Sequence, residues 1–407
     1  MKPRVAVVVQ RYGVEVNGGA EWAARWVAEH LGELTDVTVL TTCAKEYTTW
    51  VNEYPPGKTE VNGVPVRRFQ VDAQRKWSKS KRETGRFFLQ PHSLEEEIAW
   101  IKRQGPFSSG LFRHIYQSRD KYDVFFFFTY LYATTFFGLP LVAEKAVLVP
   151  TAHDEPFLYL DAYRALFHLP RHLLFLTESE RDLVTAVTGA TTIPSTVVGI
   201  GLEPPPKPPP ATSLHHQAGL QERFLLYGGR ISEGKNVSEL LDYFLAYRQV
   251  SPIPLKLALM GRANIPLPDH PDVIPLGYLT EREKWSVISA AEVVIMPSKY
   301  ESLSIIILEA WLMGRPVLVN GRCEVLRQQV RQSNGGLYYS SYDEFEAGLN
   351  LLLNSPVLRR QLGQQGQKFV SRTYAWENVL AQYGDIIRQV LGSSGKVTMK
   401  EECVDMA

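Results

Sequence analysis

Short apolar runs, rich in β-branched and aromatic residues, alternate along this chain with longer stretches whose apolar positions recur at helical spacing. That alternation marks βαβ units wound about a parallel sheet. In the first half the runs predict strands at Val5–Val9, Val37–Thr41, Val66–Phe69, Val124–Phe128, Ala146–Val149, Leu173–Leu176 and Thr196–Val198. Several are apolar throughout, as strands covered on both faces are. The pattern breaks at Glu203–Ser213, a stretch dominated by proline. Proline lacks the amide donor and fixes φ, so residues 203–216 are predicted to form a stiff linker. Beyond it the alternation restarts, with strands expected at Phe224–Tyr227, Leu255–Met260, Val273–Leu276, Val293–Met296, Pro316–Val319 and Leu337–Tyr339. The stretch Tyr374–Leu391 carries Trp376, Val379, Tyr383, Ile386, Ile387 and Val390 as one helical stripe. The fold class expected is therefore α/β, with two Rossmann-like doubly wound domains: residues 1–202 joined by about 374–407, and residues 217–373.

The length of 407 residues agrees, because single cores stop growing near about 250–300 residues. With 44 Lys+Arg against 43 Asp+Glu the net charge is +1, which gives no global electrostatic case for nucleic acid. Cys43, Cys323 and Cys403 show no CxxC or CxxH spacing, which argues against a zinc site and a disulfide framework and fits a reducing compartment. No stretch approaches the roughly 18–20 apolar residues that span a bilayer, and the start MKPRVAVVVQRYG lacks the run and cleavage site of a signal peptide. A cytoplasmic protein is expected. The segment Gln74–Arg86 is strongly basic and holds one tryptophan; it reads as a solvated loop, or as a surface for an anionic acceptor or the inner membrane face.

Four constellations carry candidate chemistry. In the first, Pro297-Ser298-Lys299-Tyr300-Glu301 leads through an apolar run to Glu309-Ala310-Trp311. On one continuous helix two glutamates eight residues apart differ by about 80° in azimuth and about 12 Å along the axis, a span that matches the sugar and ribose of a folded nucleotide sugar. Free amides at Leu303, Ser304 and Ile305 would favour a diphosphate between them. Because Ile305–Leu308 is apolar all round, that helix is expected to be buried and Glu309 to need a polar partner.

In the second, Tyr227-Gly228-Gly229-Arg230 is followed by Lys235, a strand ending in glycines and then two cations. Arg230 offers a planar fork and Lys235 a compact charge, which together neutralise a departing diphosphate without a metal. In the third, Gly13 and Gly18 have P-loop spacing, but Gly19-Ala20 stand where that loop needs Lys-Ser/Thr, and no GxGxxG is present. What remains is a glycine pair opening a helix, suited to covering a phosphate or sugar. In the fourth, His153-Asp154-Glu155-Pro156 follows a predicted strand, where open α/β sheets place ligands. His153 is either a structural histidine or a hydrogen-bond donor to a sugar hydroxyl. Asp-x-Asp, HExxH and GxSxG motifs are absent from the sequence, and no metal or other cofactor is expected.

In this order the motifs resemble the retaining glycosyltransferases of the GT-B fold, specifically glycosyltransferase family 4. The resemblance rests on Gly18-Gly19-Ala20-Glu21, His153-Asp154, Gly229-Arg230 with Lys235, Leu276-Gly277-Tyr278, Pro297-Ser298, Glu301-x7-Glu309-Ala310 and Gly314-Arg315-Pro316-Val317. It implies two domains facing across a cleft, with Arg230 and Lys235 on the donor diphosphate, Glu309 on the ribose hydroxyls, and Glu301 with the amides of Leu303, Ser304 and Ile305 on sugar and phosphate. By the same resemblance His153 meets the sugar, Gly18, Gly19, Gly229 and Gly261 line the donor, and Tyr278 and Leu279 flank the base. The implied activity is retaining transfer of a hexose-type sugar from a nucleotide sugar, with UDP favoured, to a saccharide or lipid-linked acceptor. A departure is Glu301-Ser302-Leu303-Ser304 where the family often has Glu-Gly-Phe-Gly. Two other readings stay open: a nucleotide-sugar epimerase of the same fold, and a non-catalytic nucleotide-sugar-binding subunit.

Overall fold

The computed structural model describes residues 2–76, 84–85, 87–205, 220 and 222–393. Most of the linker expected at 203–216, and residues 77–83 and 86 of the basic segment, lie outside them. The chain divides into two compact units. The first comprises residues 1–176, 180–200 and 379–407, and the second residues 177–179 and 201–378.

The first unit is built on an eight-stranded sheet. Its strands are β1 (Arg4–Val9), β2 (Asp36–Thr42), β3 (Gly57–Val61), β4 (Val64–Phe69), β5 (Val124–Phe128), β6 (Ala146–Val149), β7 (His172–Phe175) and β8 (Ser195–Val197). They lie in the order β3-β4-β2-β1-β5-β6-β7-β8. All neighbours are parallel except β3 with β4. Residues 124–128, five successive apolar side chains, are fully buried, as a central strand between two helical layers requires. β3 was not anticipated. Its sequence GKTEV is almost wholly exposed, so no apolar run announces it. The signal that finds it is Asn62-Gly63, whose φ values of 49° and 80° are those of a tight primed turn returning into β4.

The second unit holds a six-stranded parallel sheet of β9 (Phe224–Gly228), β10 (Lys256–Met260), β11 (Val273–Gly277), β12 (Val293–Met296), β13 (Val317–Asn320) and β14 (Gly336–Tyr339). The order is β11-β10-β9-β12-β13-β14, so the chain winds outward one way from β9 and then the other way from β12. β9 and β12 thus flank the topological switch point, and open α/β sheets bind ligands beyond the carboxyl ends of those strands. The helix Trp376–Ser393 begins in the second unit and from Val379 belongs to the first, where the Tyr383 ring meets Phe126 at 5.4 Å between centroids.

Among the described residues no helix is long and apolar enough to cross a membrane. Within the basic segment Arg75 is an exception to solvation: it is 7% exposed and donates to the carbonyls of Tyr47, Thr48 and Gln104. Its guanidinium stacks 5.0 Å from the Trp50 ring, and burial lowers its pKa to about 10. A long amphipathic side chain packs its stem and face against apolar neighbours, which sequence charge alone does not reveal.

Candidate functional site

β9 ends in Gly228-Gly229, and the reason for two glycines is steric. A Cβ on Gly228 would lie 2.8 Å from Ile306, the second residue of the helix Ile305–Leu312 that follows β12. The backbone after β9 therefore approaches that helix more closely than any side chain allows. The loop is pinned by the Tyr227 hydroxyl, which donates to the Arg230 carbonyl at 2.6 Å; burial pushes this phenol's pKa up, so it stays a donor. Arg230 itself is exposed.

Lys235 closes a short turn, Glu233–Lys235, and Asn236 then adopts a left-handed conformation, φ 57°, before the helix Val237–Val250. That conformation lets the Asn236 amide donate to the Pro297 carbonyl at 3.1 Å, and Asn320 from the end of β13 donates to the same oxygen at 2.9 Å. The segments that follow β9 and β12 and the end of β13 are tied at one carbonyl. The result brings Lys235 Nζ to 2.6 Å from Glu301 Oε1, with the glutamate side chain 9% exposed. Two candidates taken from sequence positions 66 residues apart are in direct contact.

Glu301 is not on the helix. The helix starts at Ile305, so the azimuth and rise expected for two glutamates on one cylinder do not apply, and Glu301 sits in the turn before it. The intervening Ser302-Leu303-Ser304 explains the delay, because serine competes for local backbone hydrogen bonds and favours positions before a helix over its interior. Ser304 precedes the first turn without capping it; its hydroxyl is buried and has no hydrogen-bond partner, and Ile305 opens the helix. An orphaned donor beside free helix amides is the local chemistry that receives an anionic oxygen.

Glu309 has the polar partner its apolar surroundings require. Lys284 Nζ, from the helix Glu281–Ala290, lies 2.7 Å from Glu309 Oε1, with the two side chains 7% and 3% exposed. Burial raises the Glu309 pKa above the ordinary carboxylate value, and Lys284 opposes that shift. For Lys284 burial alone would lower the pKa, but Glu309 and Glu281 outweigh it and the ammonium titrates above the ordinary lysine range. Cys323 lies near Glu301, and burial raises its thiol to about 11, so it is a neutral neighbour.

Gly261 packs where a Cβ would fall 2.0 Å from the Gly229 carbonyl oxygen, at φ 132°, and its amide donates to the Gly277 carbonyl at 2.8 Å. It joins the loops after β9, β10 and β11. Tyr278 is 59% exposed and Leu279 half-buried, directly after β11.

In the first unit, a Cβ on Gly18 would meet Glu21 Oε2 at 2.1 Å, whereas Gly19, the first residue of its helix, has open space beside it. Sequence reasoning treated the pair as equivalent. Glu21 holds Arg11 Nη2 at 2.5 Å and Gln10 Nε2 at 2.8 Å, and Arg11 reaches on to the carbonyls of Asn17 and Lys45, so a buried ion pair fixes the turn. His153 Nδ1 is 3.8 Å from Glu155 Oε1, which accepts the Tyr130 hydroxyl at 3.1 Å. The wholly buried Glu180 accepts the amides of Ala152 at 2.6 Å and Leu176 at 2.7 Å. It holds a turn in which Thr151 has φ 51°, a conformation that costs a β-branched residue about 1–3 kcal/mol. Glu180 and Lys284 were missed because the partners that matter here, the Ala152 amide and Glu309, lie 28 and 25 residues away.

Residues 214–369 match the family model described as Glycosyl transferases group 1. That segment is similar to the group 1 glycosyl transferases. The relatives agree with it. An uncharacterized glycosyltransferase of Methanocaldococcus jannaschii is 24% identical over 186 residues, 43% of this chain and 47% of that protein. The alpha-D-kanosaminyltransferase of Streptomyces kanamyceticus is 26% identical over 194 residues, 44% of this chain and 48% of that protein. The match thus spans about half the length of these curated relatives. Among solved structures, sucrose-phosphate synthase from Thermosynechococcus elongatus superposes with a TM-score of 0.70 at 17% identity, covering 96% of this chain and all of that one. Anabaena HepE in complex with UDP and glucose superposes with a TM-score of 0.70 at 15% identity, covering 95% and 99%. The fold of the chain is that of the GT-B glycosyltransferases, two Rossmann-like α/β units with parallel sheets.

Proposed function

We propose that the chain is a glycosyltransferase which takes a hexose-type sugar from a nucleotide sugar, UDP-linked in preference to GDP-linked, and passes it with retention to a saccharide or lipid-linked acceptor. One observation carries this reading. Beyond the carboxyl ends of the two switch-point strands, a lysine, a glutamate, an orphaned serine hydroxyl and the amides of a buried helix converge within one unit. Such a set suits an anionic group flanked by hydroxyls. Lys235 and Arg230 are assigned to the diphosphate, Ser304 and the amides near Ile305 to its oxygens, Glu301 to the sugar and Glu309 to the ribose, with Tyr278 and Leu279 beside the base. The first unit is assigned the acceptor, and His153 a sugar hydroxyl.

In the reaction the bond from C1 to the phosphate oxygen breaks while the acceptor oxygen bonds to the same face of C1. The acceptor proton passes to the departing phosphate. No protein base is required, and the positive charge that stabilises the leaving group comes from Arg230 and Lys235. UDP complexes of the structural neighbours support the donor class: HepE was solved with UDP-glucose and a trehalose-6-phosphate protein of E. coli with UDP-2-fluoro glucose.

The test is a calorimetric screen of UDP, UDP-glucose, UDP-N-acetylglucosamine and GDP-mannose, with and without EDTA, followed by NMR of each incubated donor. The expected outcome is EDTA-insensitive binding of a uridine nucleotide and slow release of the α-configured free sugar. An inverted sugar still attached to UDP would make the chain an epimerase, and tight UDP binding without turnover on any acceptor would make it a binding subunit.

A further inference from the structure

Glu309 sits in the helix Ile305–Leu312, whose other residues are all apolar, and only 2% of it is exposed. A carboxylate at that depth costs several kcal/mol unless it is paired. The pairing is supplied from another helix: Lys284 contacts Glu309 Oε1 at 2.7 Å and also holds Glu281 at 2.8 Å. Stability does not account for the arrangement, since replacing a buried ion pair with hydrocarbon of similar volume is often neutral or stabilising. The pair has a chemical consequence instead. An ionised carboxylate accepts at both oxygens, whereas the neutral acid presents one donor, and the lysine occupies one oxygen in a fixed direction while leaving the carboxylate an acceptor at the other.

We propose that Lys284 is a positioning residue for the nucleotide: by holding Glu309 Oε1 it aims Glu309 Oε2, as an ionised acceptor, at the vicinal hydroxyls of the ribose. The inference rests on the reading of Glu309 as the ribose contact and adds the residue that makes this contact selective. A site built to accept hydrogen bonds from two hydroxyls rejects an analogue that lacks them, because its own buried oxygen is left unpaired.

Binding of UDP and of 2′,3′-dideoxy-UDP to the full chain, measured by calorimetry, tests it. Wild type should prefer UDP by at least about tenfold, the scale of one or two hydrogen bonds to a charged group. Glu309→Gln should bring the two ligands within about threefold, and Lys284→Met should do the same although Lys284 touches neither ligand. Lys284→Arg, which keeps the cation, should restore most of the preference. Because Lys284→Met leaves a buried charge uncompensated, Lys284→Gln, which still donates a hydrogen bond to Glu309, serves as the second variant and should lose the preference at least threefold. If wild type shows no dependence on the hydroxyls, or Glu309→Gln keeps the full wild-type preference, the ribose reading itself fails. If Glu309→Gln loses the preference while both neutral Lys284 variants keep it, the ribose reading survives and the role of Lys284 is refuted.

Discussion

At 2.6 Å from Glu301, the ammonium of Lys235 already spends one of its three N–H groups on a carboxylate before any ligand arrives. Charge on a departing diphosphate grows as the bond to the sugar breaks, so an ammonium beside it stabilises the transition state more than the bound donor. Lys235→Ala should lower the rate of donor-sugar hydrolysis by about 10²–10³ while changing UDP affinity by less than about tenfold. Stopped assays and calorimetry on one preparation decide it, and equal losses in rate and affinity would remove Lys235 from the chemistry. What sequence makes legible at this scale is residue type and need: Ile305–Leu308 shows that Glu309 requires a partner. It does not show which partner. A signal existed, because Lys284 is three and four residues from Val287 and Ile288 and so shares the apolar face of its helix. A lysine on an apolar face is a residue with a buried counter-ion to find.

Elements were legible where burial dictates composition and illegible where it does not. Continuous apolar strands such as β5 and β12 announce themselves, whereas the exposed edge strand β3 is visible only through its turn. The helix after β12 was placed by its apolar run, but its start slipped by one turn because two serines, not the glutamate, set the boundary. Gly261 shows the same limit for loops. Read as a ligand-lining glycine, it is also the point where three loops touch, with φ 132° and no room for a Cβ against the Gly229 carbonyl. Gly261→Ala should therefore destabilise the second unit by about 1–3 kcal/mol through backbone strain alone, with the clash adding to it. Urea titrations of the variant and wild type measure this. A variant as stable as wild type would show that the loop relaxes freely and that this close approach does not shape the donor site.

Two sheets, each with its own core, share one polypeptide that passes between units after Leu176, Ser179, Ile200 and Asn378. Every residue assigned to the nucleotide lies in the second unit apart from Gly18, Gly19 and His153, so ligand binding has a defined thermodynamic address. A ligand that binds only the folded form stabilises it by about 2.7 kcal/mol at a hundred times its dissociation constant. Native-state hydrogen exchange with and without saturating UDP should therefore slow the amides of β9 through β14, which open only with that unit, by up to about a hundredfold. Amides of β1 through β8 should slow far less, because their unit opens without releasing the ligand. Protection gained first in β1 through β8 would move the nucleotide to the other sheet and dissolve the assignment of Lys235, Glu301 and Glu309 together. Protection spread evenly over both sheets would instead mean that the backbone crossings make the units open as one.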